Sequence, residues 1–78
     1  MKQSIEWIKC KDGLPENPTS PLDWKKYWTV RKTRYGLSYS VNYWAYGWNC
    51  SMNFDGTIYR EHEIKDVIAW AEIPEYEE

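Results

Sequence analysis

"YWTVRKTRYGLSYSVNY", Tyr27 to Tyr43, is the stretch on which the fold turns. "YWTVRKT" and "LSYSVNY" both alternate, and "RYG" between them can turn. A period of two is the mark of half-buried strands. With Tyr35-Gly36 as a two-residue turn, Arg34 opposes Leu37, Lys32 opposes Tyr39, Val30 opposes Val41 and Trp28 opposes Tyr43. Arg31, Thr29, Ser40 and Asn42 fall on the other face. This register gathers apolar residues on one face, expected to be the core, and small polar residues on a solvent face.

Beyond Tyr43 the alternation fails, because Trp44 and Tyr46 take the phase of Ser40 and Asn42. Either a bulge around Gly47 swings these aromatics inward, or they stand on the surface. "SMNFDGTIYR" then reads as a second hairpin with a tight turn at Asp55-Gly56. "EHEIKD" suits a short turn or helix, and "VIAWAEIP" a closing strand halted by Pro74. Upstream, "SIEWIK" is a first strand, and "KDGLPENPTSP" is a proline-studded connection that no regular element crosses. "PLDWKK" suits one helical turn entered through Ser20 and Pro21, with Trp24 capping one edge of the core. The expected fold is mainly β (α+β at most): a small antiparallel sheet of hairpins with one or two short helical turns. One domain spans residues 1–78, with 76–78 as an acidic tail, and its core is built on Trp7, Trp28, Val30, Val41, Tyr43 and Trp70.

Composition agrees with this class. Six Trp and seven Tyr in 78 residues must supply most of the buried area, because Leu is scarce. A chain this small lies near the lower limit for folding unaided, so each aromatic counts. The net charge of −2 is unevenly spread: through Gly36 there are eight Lys/Arg against four Asp/Glu, and from Leu37 onward two against eight. Mixed charge of this kind is an ordinary solvated surface, or two ends that attract each other, before it is a patch for an acidic partner. "MKQSIEWIKCKDG" has no apolar run long enough for a signal peptide or membrane span. The expected location is therefore the cytoplasm of whatever cell makes the protein, with Cys10 and Cys50 as reduced thiols.

The two ends, "WIKCKDGLPE" (Trp7–Glu16) and "VIAWAEIPE" (Val67–Glu75), resemble a family of small phage and prophage proteins known as domain of unknown function five-fifty-one. Trp7, Ile8, Leu14, Pro15 and Glu16 match its opening. Val67, Trp70, Pro74 and Glu75 match its close, and Gly47-Trp48 lies where the family has Gly-Trp. The chain departs in having Ala71-Glu72-Ile73 where Met-Pro-Leu is usual, and in a long connection after Pro15. The resemblance implies a compact β-rich domain encoded by a phage or integrated element, which would make that cytoplasm a bacterial host cell's. It brings no catalytic residues to carry over.

No catalytic constellation stands out. His62, the lone histidine, lies between two glutamates, and nothing in the spacing pairs it with Cys50 or Ser51 as a nucleophile. Cys10, Cys50 and His62 do not form ligand pairs of the zinc type, so no metal and no cofactor are assigned. Glu72, Glu75, Glu77 and Glu78 lie in a terminal run that cannot hold two carboxyls across a cleft. The expectation is a protein that is not an enzyme. Trp, Tyr and Arg are the residues of binding hot spots, which makes Trp44, Tyr46, Trp48, Arg31, Arg34 and Tyr35 the candidate partner-binding set. The sharpest reading is a phage-derived protein that occupies a bacterial host protein, such as a defence factor of the CRISPR type. Two alternatives stand beside it: a nucleic-acid or nucleotide binder using the basic, aromatic hairpin, and a structural homodimer in which Trp44 and Tyr46 meet their own copies.

Overall fold

The computed structural model describes residues 5–74. It is mainly β, with six strands: β1 (Ile8–Lys9), β2 (Lys26–Thr33), β3 (Gly36–Tyr43), β4 (Ser51–Met52), β5 (Ile58–Tyr59) and β6 (Val67–Glu72). β1, β6, β2 and β3 form one antiparallel sheet in that spatial order, and β4 pairs with β5 in a separate hairpin. The β4–β5 turn comes one residue earlier than the expected Asp55-Gly56: the Gly56 N–H closes it on the Asn53 carbonyl at 3.0 Å, which makes Phe54 and Asp55 its central residues, and Gly56 follows at φ 87°. The terminal strands lie side by side, with Ile8 opposite Trp70 and Lys9 opposite Ala69.

No helix forms among the described residues. The segment at Pro21 is a turn, closed by the Asp23 N–H on the Ser20 carbonyl at 3.0 Å and the Leu22 N–H on Ser20 Oγ at 3.1 Å. It is cut short because β2 already begins at Lys26, so the chain must be extended by then. Glu61-His62 is likewise a turn, with the Glu63 N–H donating to the Arg60 carbonyl at 3.0 Å.

The central hairpin is present, with its turn one residue earlier than expected. Thr33 opposes Gly36, so the two turn residues are Arg34 and Tyr35, and Val30 faces Tyr39 while Trp28 faces Val41. Gly36, at φ 117°, is therefore the first residue of β3. Thr33 Oγ1 fastens the turn by donating to the Gly36 carbonyl (2.8 Å) and accepting from the Tyr35 N–H (3.2 Å). The register moves by two residues, so every side chain keeps its face.

The cover, however, lies on the other side. Thr29 (0% exposed) and Asn42, expected toward solvent, are buried, whereas Val41 (42%) and Tyr39 (66%), expected in the core, are exposed. Trp7 is also exposed and Trp28 and Tyr43 only half-buried; of the expected core, Val30 and Trp70 are buried. The reason lies in what shares the face of Thr29. Tyr27 and Trp70 project there, and Trp44 and Trp48 fold in beside them with Val67 to make the core. Tyr27 meets Trp70 edge-to-face at 5.1 Å and Trp48 at 6.1 Å, and Trp44 meets Trp48 at 4.9 Å. Four aromatics outweigh three small polar groups, and the polar groups satisfy one another. Asn42 Nδ2 donates to Thr29 Oγ1 (2.7 Å) and Ser40 Oγ (3.0 Å), and Thr29 Oγ1 also reaches the Ser40 carbonyl (3.0 Å). No described buried side-chain nitrogen or oxygen lacks a partner.

Trp44 and Trp48 reach the core through a tight bulge, bridged to each other, with Tyr46 at φ 58° and Asn49 at φ 61°. The Gly13–Asn17 loop closes over them. Trp70 Nε1 donates to the Gly13 carbonyl at 3.0 Å, and Trp44 Nε1 donates to Asn17 Oδ1 at 2.8 Å.

Candidate binding face

The sheet thus has one face under loops and one open. Strand pairing defines the open face in cross-strand rows. Lys9, Ala69, Val30 and Tyr39 form one row; Ala71, Trp28 and Val41 the next; Lys32–Leu37 and Lys26–Tyr43 flank them. Trp7, one residue before β1, continues the alternation onto this side, and its ring lies 6.1 Å from that of Tyr39. At the other end Trp24 stacks on Tyr43 at 4.2 Å and 20°, with Lys26 Nζ 5.7 Å from the Tyr43 ring centre. The floor is small and apolar: Val30, Ala69 and Ala71 are buried beneath these rings.

The charge of this face is one-sided. Lys9, Lys26 and Lys32 stand on it, and no strand position sharing the face is a carboxylate. Among the described residues the ion pairs are Lys25–Glu72, Arg31–Asp66 and Arg60–Glu63, so none of the three lysines is neutralised by one. Two depressions border the face. One, of about 570 Å³, has Trp7, Lys9, Lys11 and Ala69 in its wall; the other, of about 480 Å³, has Trp24, Lys26 and Tyr43. Among the described residues, neither is lined by a carboxylate.

The covered side differs in kind. Its cleft, also about 570 Å³, is rimmed by Glu16, Asp23, Glu72 and Lys25. Its aromatic walls, Tyr27, Trp44 and Trp70, are nearly inaccessible, with both indole N–H groups already committed. It offers a ligand little ring surface.

The partner-binding residues expected from sequence do not assemble. Trp44 (7% exposed) and Trp48 (5%) are core residues, since the bulge turns both inward. Arg31 points to the covered face and clasps Asp66, with Nε to Oδ1 at 2.6 Å and Nη2 to Oδ2 at 3.0 Å. This hydrogen-bonded pairing raises the Arg31 pKa and holds the Asp66 carboxyl below its usual range. Arg34 and Tyr35 do meet, guanidinium to ring centre 5.7 Å, at the exposed hairpin tip. Tyr46 is exposed beside Asn17, whose Oδ1 accepts its N–H at 3.1 Å. Tip and bulge lie at opposite ends of β3, roughly 20 Å or more apart along the strand.

The residues missed were Trp7, Trp24, Trp28, Tyr39 and Lys9, whereas Lys26 and Lys32 belong to the basic stretch behind the nucleic-acid alternative. A signal for them was present. Lys26 and Lys32 share the parity of Trp28 and Val30 and bracket them, and a buried face is seldom flanked by lysines.

Cys50 is buried, its thiol donating toward the Trp48 carbonyl at 3.6 Å, and burial pushes its pKa up, with nearby Glu63 adding to the shift. Burial likewise raises Cys10. Both are thus further from the reactive thiolate. No helix of the described residues is long and apolar enough to cross a membrane. Comparisons with protein-family models, curated proteins and solved structures find no match to this chain.

Proposed function

We propose that this chain is a non-catalytic binding protein that holds a macromolecular partner on the open face of its four-stranded sheet. One observation carries the reading: a small domain leaves exposed, on one face, the aromatic area it would be expected to bury, and the charged strand positions of that face are all lysines. Contiguous exposed apolar surface marks interaction sites more often than accident. The resemblance of the two ends to phage and prophage proteins supports a setting in which occupying a host-cell macromolecule, a defence factor among them, is the biological role. That setting rests on analogy between sequences, while the face rests on geometry.

The test is capture from bacterial lysate by the tagged chain and by Tyr39→Ser/Val41→Ser, two exposed changes that leave the loop-covered core alone. Capture by the parent and its loss in a folded variant support the face. Capture that is indifferent to both substitutions overturns it. Trp44 is unsuitable for this experiment, because its removal empties the core.

A further inference from the structure

Resting on that reading of the open face, we propose that its ligand is single-stranded nucleic acid. Three features of the face converge. Trp7, Trp24, Trp28, Tyr39 and Tyr43 present rings along one side of the sheet, where unpaired bases can stack. Lys9, Lys26 and Lys32 are interleaved with them, from one edge strand across to β2, placing cations beside the rings where a phosphate chain would run. Among the described strand positions, carboxylates are kept to the covered side, so the strand residues of the open face carry no negative charge.

The same features disfavour other occupants. A second copy docked face to face across a two-fold axis would set three lysines against three lysines. A duplex hides its base faces, and four strands span about 14 Å between outer axes before side chains are added, too broad for a major groove of about 12 Å. A single strand meets neither obstacle.

The experiment is fluorescence anisotropy of labelled twelve-nucleotide oligothymidylate and oligouridylate, with a duplex of equal length as control, over a range of salt. Binding to the single strands is expected, with a log–log salt slope near −2 for three lysine–phosphate contacts. The Lys9→Gln/Lys26→Gln/Lys32→Gln variant should flatten that slope. Tyr39→Ala and Trp24→Ala, at exposed positions and checked for folding by circular dichroism, should each weaken binding by ~10-fold. The deoxy and ribo probes tell DNA from RNA. No binding at low salt, equal or tighter binding of duplex, or affinity unmoved by these variants would overturn the proposal. If oligonucleotides fail while lysate capture after nuclease treatment still depends on Tyr39 and Val41, the face stands and its partner is a protein. If capture is also independent of them, both readings fall.

Discussion

Trp7 and Tyr39 come from opposite edges of one sheet, yet their rings meet at 6.1 Å, tilted by 54°. Three strand spacings, about 14 Å, separate their backbones, so both side chains lean inward above β6 and β2. This arch explains why Val30 and Ala69 are buried on a face that no other segment of the described chain covers. Larger residues at Ala69 or Ala71 would hold the arch open.

The arch should register as coupling. In a cycle of Trp7→Ala, Tyr39→Ala and the double variant, an interaction energy of ~1 kcal/mol is expected from urea unfolding. Strict additivity would show that the two rings touch without stabilising each other.

Asn17 closes the covered side by serving two donors with one oxygen, Trp44 Nε1 and the Tyr46 N–H. Asn17→Ala should therefore cost ~2 kcal/mol, since it strands a buried indole N–H and frees a residue held at φ 58°. Asn17→Asp keeps an acceptor and should lose less. Equal losses would point to packing rather than hydrogen bonding.

Thr29 is fully buried, and its hydroxyl ties β2 to β3 through the Ser40 carbonyl and Asn42 Nδ2. Thr29→Val preserves shape and removes the hydroxyl, leaving Asn42 Nδ2 only its bond to Ser40 Oγ. A loss of ~1–2 kcal/mol in unfolding free energy is expected. A neutral result would mean that Ser40 and Asn42 satisfy each other once Thr29 withdraws.

Acid should act through Asp66. Its pKa is depressed in the fold, first by the hydrogen bond from Arg31, so the unfolded chain binds the proton more readily. The stabilisation is complete above the ordinary carboxylate range, about pH 4, and is lost as pH falls through the lower folded value. Urea midpoints of the parent and Asp66→Asn should differ most at neutral pH and converge on acidification. A gap that stays constant with pH would assign the effect to shape instead of charge.

The thiols offer a check on the bulge. Cys50 should resist a thiol reagent until the protein unfolds, while the half-buried Cys10 reacts first. Prompt modification of Cys50 in native buffer would reveal local opening of Trp44–Asn49.

Local geometry was legible in the sequence wherever periodicity or turn chemistry carried it. The central hairpin and the second hairpin around Asp55-Gly56 both follow from alternation and turn residues. The covered face was not legible, because it depends on where distant segments return. The indoles of Trp44 and Trp48 enter the core only through backbone at positive φ on Tyr46 and Asn49, a conformation that no local preference of Tyr announces. Binary pattern then misled in a specific way. Thr29, Ser40 and Asn42 look like a solvent face until their mutual hydrogen bonds are seen, and Val41 and Tyr39 look like a core until nothing is found above them. The candidate site went unread for the same reason, since it is the face the pattern assigned to the interior.

The division of tryptophans between the two faces gives the protein two internal optical probes. Trp44, Trp48 and Trp70 sit in a buried cluster within a few ångströms of one another or of Tyr27, so their emission and near-ultraviolet dichroism follow the integrity of the fold. Trp7 and Trp24 look outward and are open to aqueous quenchers. Iodide accessibility can therefore follow occupancy of the open face while the buried set reports that the scaffold is intact, with no label attached.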